Sequence, residues 1–499
     1  MKRILFLLAC VSFLTSTLHA RWTPELDAYI EKARRDWDAP GLAVTVVQDG
    51  KVLVAKGYGV RSLGKPEPVD AHTMFDIASL AKSFTAAATA TLVDEGKMAW
   101  DDPVRKHLPT FALADPYRTQ NLTIRDLLAH RAGLEQGNFV FLFTKYDTAE
   151  VIRRMRYLDE RQPFRGGMIY SNLGYAAAGE AAAAAAGMPF TDLVRTRLIE
   201  PLGMRESTVG VPHDTAANHA DGHSSIDGKQ VAIRSRKAMN IFGANAVNST
   251  AADMAKWLLF QLGDGTWDGK RIISAAAMQE MHEPQMIITT SPQMRAARGV
   301  DFFAAYGLGW QVMDYHGHQM LWHSGGADGM PTYMAILPRE KIGVCVMVNT
   351  WEAPILHGSI AARILDTLLG TKNPKDSAGE ALESNRKAVQ RALEERAAIE
   401  KSRIPDTKPS RPLDAYAGTY EDKLYGTMLI RHDAGKLTLQ FAGNDTAELT
   451  HWHHDTFRVR WHDRVYEFYD TFATFALDAQ GTPRSFEMKL NRDTVAAKR

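Results

Sequence analysis

"DIASLAKSFTAAATA" (Asp76–Ala90) sets Ser79 and Lys82 three residues apart at the head of an alanine-rich run that continues in good helix formers to about Glu95. The spacing alone carries little, since Ser-x-x-Lys recurs at Ser62/Lys65 and at Ser384/Lys387. The surroundings separate the three. Ser62 lies in "RSLGKPEP", where Gly and Pro signal a turn. Ser384 lies in "ESNRKAVQRALEERAAIEKSR", whose charges mark a solvated helix face. Only Ser79 follows a short apolar segment, "MFDIA", and opens a long helix. At a helix start, side chains three apart are neighbours, and the positive end of the helix dipole favours charge on the serine oxygen. A buried helix start also uses serine simply as an N-cap, so the choice between cap and nucleophile rests on partners elsewhere in the chain.

Working outward, "GLAVTVVQDGKVLVAKGYG" (Gly41–Gly59) places two β-rich runs around Asp49-Gly50, a strong hairpin signal. After the Ser79 helix comes a mostly helical middle containing "LTIRDLLAHRAGL" and the alanine-dense "NLGYAAAGEAAAAAAGMPFTDLVRTRLIEPLGM". Leu, Tyr and Phe flank those alanines, which predicts close helix packing in place of a low-complexity linker. From Tyr306 the strand signal returns as a meander, "YGLGWQVMDYHGHQMLWHSGG" and "TYMAILPREKIGVCVMVNT", closed by the helix "HGSIAARILDTLLG". Residues 371–412 turn charged and then Pro-rich, which reads as a linker with an exposed helix. Residues 413–499 are short alternating strands with frequent turns, the pattern of a small antiparallel barrel or sandwich. The expected architecture is an α+β domain over 21–370, an antiparallel sheet with helices, followed by an all-β domain.

The bulk properties narrow the function. With 499 residues the chain exceeds one ordinary core, and 45% hydrophobic residues suffice to build more than one. A formal net charge of +1 gives no support for nucleic acid as a partner. Residues 1–20, "MKRILFLLACVSFLTSTLHA", have the basic start, apolar stretch and small Ala20 of a secretory signal peptide, so export to the periplasm or beyond is expected. A lipid anchor at Cys10 is the weaker alternative, because the apolar stretch before it is short. No later run is long and apolar enough for a spanning helix. The remaining cysteine, Cys345, sits in the strand-like "IGVCVMVN" and reads as a buried thiol. The clusters "HGH" (His316, His318) and "HWHH" (His451, His453, His454) lack carboxylate or cysteine partners at ligand spacing, so no metal and no cofactor is expected.

Two further segments offer partners to Ser79. "GGMIYSNLGY" carries Tyr170-Ser171-Asn172 between a Gly-rich turn and the alanine helix. A phenol there can carry a proton, and the amide of Asn172 can order a lysine or hold a substrate carbonyl. "LWHSGGADG" carries His323-Ser324-Gly325-Gly326 at a strand end, where Gly-Gly permits close backbone approach to a ligand.

In this order, Ser79/Lys82, Tyr170/Asn172 and His323/Gly325 resemble the three motifs of the penicillin-recognising serine hydrolases, the superfamily of serine β-lactamases and D,D-peptidases. The surrounding "FDIASLAKSFTA", "LLAHRAGL", "YSNLGY", "YGLGW" and "HSGG" are similar to its class C-like branch, with D-aminopeptidases and esterases of peptidase family S12, over about residues 25 to 370. The resemblance implies a β-lactamase/transpeptidase-like domain and a lipocalin-like C-terminal domain. It implies Ser79 as nucleophile, Lys82 and Tyr170 as proton carriers, and an oxyanion hole from the backbone N–H groups of Ser79 and Gly326. It implies that Asn172 orients substrate and that His323 and Gly325 line the strand side of the pocket. Free lysine and tyrosine have pKa values of about 10, so at least one must shift or the two must share a proton; which is the base stays open at this level. Histidine stands where typical β-lactamases carry lysine, which disfavours efficient β-lactam or D,D-carboxypeptidase chemistry and favours small amides or esters, D-residue peptides foremost. A carboxylesterase, a β-lactamase-type enzyme and a non-turnover penicillin-binding sensor are the alternatives. Self-association is left open.

Overall fold

The computed structural model describes residues 22–235, 240–289, 303–441, 446–466, 470–490 and 493–499. The signal-peptide and Cys10 expectations lie outside them.

The N-terminal part of the chain is organised on an antiparallel sheet of eight strands: β1 (Gly41–Gln48), β2 (Lys51–Gly59), β3 (Met286–Ile287), β4 (Ala304–Tyr306), β5 (Gln311–Tyr315), β6 (His318–Ala327), β7 (Met330–Leu337) and β8 (Ile342–Val348). Its order is β3-β4-β5-β6-β7-β8-β1-β2, so the meander is joined to the first hairpin by the β1–β8 ladder, Leu42 opposite Val348. Asp49 and Gly50 both take positive φ, +49° and +76°, the two-residue turn that matches strand twist.

Both sheet faces are covered, which explains the nearly unbroken apolar runs of β1 and β8. Leu42, Val44 and Val46 face α1 (Pro24–Asp36) and α6 (Leu356–Leu368). The alternate residues Ala43 and Val47, with Cys345 and Met347, join the second core. There α5 (Ala251–Gln261) lies on the sheet, and Thr45 Oγ1 donates to its Ala251 carbonyl at 2.7 Å. The thiol of Cys345 is buried, and burial pushes its pKa up.

The second core is centred on α2 (Ala81–Asp94), buried from Ala81 through Leu92, with Phe84 stacked on Trp257 at 3.6 Å. The alanine-dense segment forms α4 (Asn172–Ala186), capped by Ser171, which accepts from Gly174 N at 2.9 Å, and closed by Gly187 at φ +69°. Its small side chains let the chain at Gly243 approach closely. A Cβ on Gly243 would fall 2.0 Å from the Tyr175 carbonyl oxygen.

The C-terminal part is a closed eight-stranded antiparallel barrel: β9 (Gly418–Asp422), β10 (Gly426–Asp433), β11 (Lys436–Phe441), β12 (Thr446–His453), β13 (Thr456–Trp461), β14 (Thr471–Leu477), β15 (Pro483–Leu490) and β16 (Asp493–Lys498). Alternating burial along β10 and β15 turns Met428, Ile430, Phe486 and Met488 inward. Between the two parts runs α7 (Ser377–Lys401), whose only buried residue is Ala378. A short helix, α3 (Phe139–Phe143), lies between α2 and α4 in the chain and packs against the barrel. Among the described residues no helix is long and apolar enough to cross a membrane.

Candidate active site

Ser79 stands in a single 3₁₀ turn, Ala78–Leu80, and the α-helix begins only at Ala81. This departs from the expectation of one helix opening at Ser79, and the reason is local. Ala78 takes φ +47°, a conformation that costs a non-glycine residue about 1 kcal/mol. The buried Asp76 holds it there, accepting from Ala78 N at 2.8 Å. Neither helix start is capped by a side chain, so the Ser79 hydroxyl does not serve as an N-cap.

That hydroxyl meets two other groups. Lys82 Nζ lies 3.0 Å from Ser79 Oγ, and the Tyr170 hydroxyl donates to the same oxygen at 2.8 Å. Lys82 is wholly buried. Its amine also donates to Asn172 Oδ1 at 2.8 Å and to the Ala244 carbonyl at 3.2 Å. Burial pushes the Lys82 pKa well below the usual lysine value. The two fixed acceptors take the two N–H bonds of a neutral amine, which leaves its lone pair for the Ser79 O–H. Burial pushes Tyr170 up, so it stays a neutral phenol.

His323, on β6, is buried with both nitrogens engaged: Nδ1 at 2.7 Å from its neighbour's carbonyl, Ser324 O, and Nε2 at 2.9 Å from the Tyr306 hydroxyl. The first contact requires Nδ1–H, so Nε2 accepts from Tyr306. Burial pushes its pKa down to about 3, which makes it a neutral imidazole across the ordinary pH range.

Gly325 and Gly326 each answer to a close approach. A Cβ on Gly325 would lie 2.4 Å from Thr332 Oγ1 and 2.6 Å from the Ile77 carbonyl, so only glycine lets β6 pass the turn that carries Ser79. A Cβ on Gly326 would meet the Trp351 ring at 2.5 Å. Asp328 and Gly329, at φ +40° and +81°, form a two-residue hairpin loop closed by Ala327 opposite Met330. Hydrogen-bonded and non-bonded pairs alternate from that closing pair, which makes Gly326 opposite Pro331 a non-bonded pair. Proline fits there because no N–H is called for. The Gly326 N–H is thereby turned from β7 toward the strand edge that β5 leaves free beyond Trp322.

The decoys lie apart from this arrangement. Lys65 pairs with Asp221, and Ser384 is exposed on α7. The histidine clusters are engaged otherwise: His318 pairs with Glu340 at 2.6 Å, and His451 Nε2 lies 2.9 Å from the His454 carbonyl. Among the described residues no group of three or more His, Cys, Asp or Glu comes together as a metal site.

Four contributors escaped the sequence. Tyr306 and His130 lie in "YGLGW" and "LLAHRAGL", stretches noticed without a role for either residue. His130 is buried at φ +57°, accepts from Ser171 N at 3.0 Å, and packs its ring 4.4 Å from that of Tyr170. Ala244 acts through its backbone, for which side-chain identity is no signal. Asn138 accepts from Asn172 Nδ2 at 3.1 Å, and nothing in its sequence context marks it.

Comparison with known proteins identifies the family. Residues 26–368 match the family described as beta-lactamase. The chain belongs to the beta-lactamase family. A second family, a domain of unknown function (DUF3471), matches residues 402–498, the barrel. An unguisins hydrolase of Aspergillus campestris is 30% identical over 423 residues, 80% of this chain and 75% of that one. Penicillin-binding protein 4 of Amycolatopsis lactamdurans is 27% identical over 367 residues, 72% of this chain and 92% of its own. Among solved structures, an octameric penicillin-binding protein homologue from Pyrococcus abyssi has the same fold, with a TM-score of 0.62 at 21% identity over 95% of this chain and 99% of that one. With hydrolase-named relatives over most of its length, this beta-lactamase-family chain is a serine hydrolase by family.

Proposed function

We propose that the protein hydrolyses small amides or esters through an acyl-enzyme on Ser79, with peptides containing D-residues as the foremost substrates. The observation that carries this is the pair of contacts on one hydroxyl, from Lys82 and Tyr170. Lys82, held neutral by burial, takes the Ser79 proton as the Oγ–C bond forms. Tyr170 gives its proton to the departing nitrogen or oxygen as the scissile bond breaks, and the proton held on Lys82 restores it. Water then cleaves the ester. The backbone N–H groups of Ser79 and Gly326 receive the oxyanion, and Asn172 orders both the amine and the substrate. His323 supports the strand as a neutral partner of Tyr306. A neutral imidazole offers no counter-ion to a terminal carboxylate, which favours substrates whose recognised end is uncharged. The leader supports export, with the small substrate met in the periplasm or outside the cell; a lipid anchor at Cys10 is the lesser form of the same proposal.

Intact-mass labelling with a fluorophosphonate tests the nucleophile on wild type, Ser79→Ala and the decoy Ser62→Ala. One adduct, lost only in Ser79→Ala, is expected. No adduct on the folded wild type, or one that survives Ser79→Ala, overturns the assignment. Steady turnover of D-peptide or ester panels separates an enzyme from a sensor that acylates once.

A further inference from the structure

The barrel meets the catalytic half at a place that leads back to Lys82. Phe143, the last residue of α3, is 1% exposed. Its ring centroid lies 4.6 Å from those of Trp461 and Tyr466 and 5.4 Å from that of Phe441, all barrel residues. A second clamp holds the same neighbourhood. Arg154 Nη1 donates to the carbonyls of Lys423 and Leu424 at 2.9 and 3.1 Å, and its guanidinium lies 4.1 Å from the Tyr146 ring centroid.

The residue before α3 is Asn138, which accepts from Asn172 Nδ2 at 3.1 Å while its own Nδ2 donates to Gln136 Oε1 at 3.3 Å. Gly137, at φ +59°, leaves this segment no slack: a Cβ would fall 2.6 Å from the Leu158 side chain and 3.0 Å from that of Leu173, with the barrel's Leu424 3.8 Å away. The segment is packed between α4 and the barrel.

A carboxamide has two ends of similar shape and opposite hydrogen-bonding sense. With its oxygen toward Lys82, Asn172 accepts an N–H and leaves the amine lone pair free for Ser79. Rotated by half a turn it would present its NH₂, which competes for that lone pair. Asn138 Oδ1 can only accept, so it holds the NH₂ end away from Lys82.

We propose that the barrel is a positioning element for the catalytic amine: seating Phe143 among Phe441, Trp461 and Tyr466 fixes α3, α3 fixes Asn138, and Asn138 keeps Asn172 Oδ1 on Lys82. This rests on the assignment of Ser79 and Lys82 above. Asn138 and Phe143 act through Asn172 and touch no reacting atom.

The test uses the full chain with Asn138→Leu, Asn138→Asp, Phe143→Ala and the milder barrel-side Trp461→Leu, which keeps the measurement available should Phe143→Ala fail to fold. Fluorophosphonate labelling at Ser79 is timed across about pH 6 to 10, beside thermal unfolding. Asn138→Leu and the Phe143 or Trp461 variant slow labelling by about tenfold or more and move the acid limb to lower pH, because the charged form of Lys82 loses a fixed acceptor. Asn138→Asp keeps an acceptor for the Asn172 NH₂ and recovers most of the rate. A role in folding alone lowers the unfolding temperature and scales labelling equally at every pH, which overturns the proposal. So does Asn138→Asp labelling no faster than Asn138→Leu. Wild type labelled at Ser79 with unchanged Asn138→Leu kinetics removes this proposal and leaves the hydrolase assignment standing. Absence of label on wild type removes both.

Discussion

Replacing Lys82 by methionine tests the charge state on which the mechanism turns, through stability alone. The amine is wholly buried, and its hydrogen-bond partners, Ser79 Oγ, Asn172 Oδ1 and the Ala244 carbonyl, are all neutral. Burial holds its pKa well below the usual value, whereas in the unfolded chain it returns to about 10.4. Between those two values the unfolded chain binds one more proton than the folded one, so this lysine makes stability rise with pH across that window. One proton corresponds to about 1.4 kcal/mol per pH unit. Methionine has similar length and no proton to lose, so it abolishes that slope and leaves every other titrating group in place. The unfolding free energy of Lys82→Met minus that of wild type, from urea denaturation at about pH 7, 8 and 9, is expected to fall as pH rises, by at most about 1.4 kcal/mol per unit. A difference that stays constant over this range would mean that folding does not change the charge on Lys82. The amine would then be protonated in the folded protein, and it could not be the base.

Two other substitutions probe the strand side of the site. Gly325→Ala drives a Cβ to 2.6 Å from the Ile77 carbonyl, a backbone atom next to the strained Ala78, and should cost about 1–3 kcal/mol of stability and about 100-fold in labelling of Ser79. Gly326→Ala meets only the Trp351 ring and should destabilise less; labelling of Gly325→Ala at the wild-type rate would sink the close-approach argument. Tyr306→Phe leaves His323 Nε2 buried without a donor and should cost about 1–3 kcal/mol in urea unfolding. Unchanged stability there would show that the Tyr306 hydroxyl does not satisfy that nitrogen.

The neutral His323 bears on the choice among related chemistries. A permanent cation at this strand position would attract a substrate carboxylate, and here the imidazole is neutral with both nitrogens occupied. On the proposed hydrolase reading, specificity at this edge would fall to shape, to the exposed backbone of Gly326 and to the Trp351 ring beside it.

What the sequence determined by itself is what short-range physics governs. The Asp49-Gly50 turn, the alanine helix with its Ser171 cap and Gly187 stop, and the alternating burial of the barrel strands each depend on residues within a few positions of one another. The Ser79–Lys82 contact belongs to the same class, three residues apart on one turn, and motif order extended it to Tyr170, Asn172 and the Gly-Gly strand end. Tertiary structure alone decided the electrostatic state of the site and the place of the barrel. Lys82 meets Asn172 from 90 residues away and the Ala244 carbonyl from 162, and its low pKa follows from the burial those contacts complete. His323 is neutral because burial disfavours its charged form, and the tyrosine that meets its Nε2 comes from another strand, which no residue beside it in the chain announces. Asn138 and Phe143 likewise meet their partners, Asn172 and the barrel's Trp461, only through tertiary packing. Desolvation and amide orientation are properties of surroundings, and the surroundings exist only after distant segments have packed together.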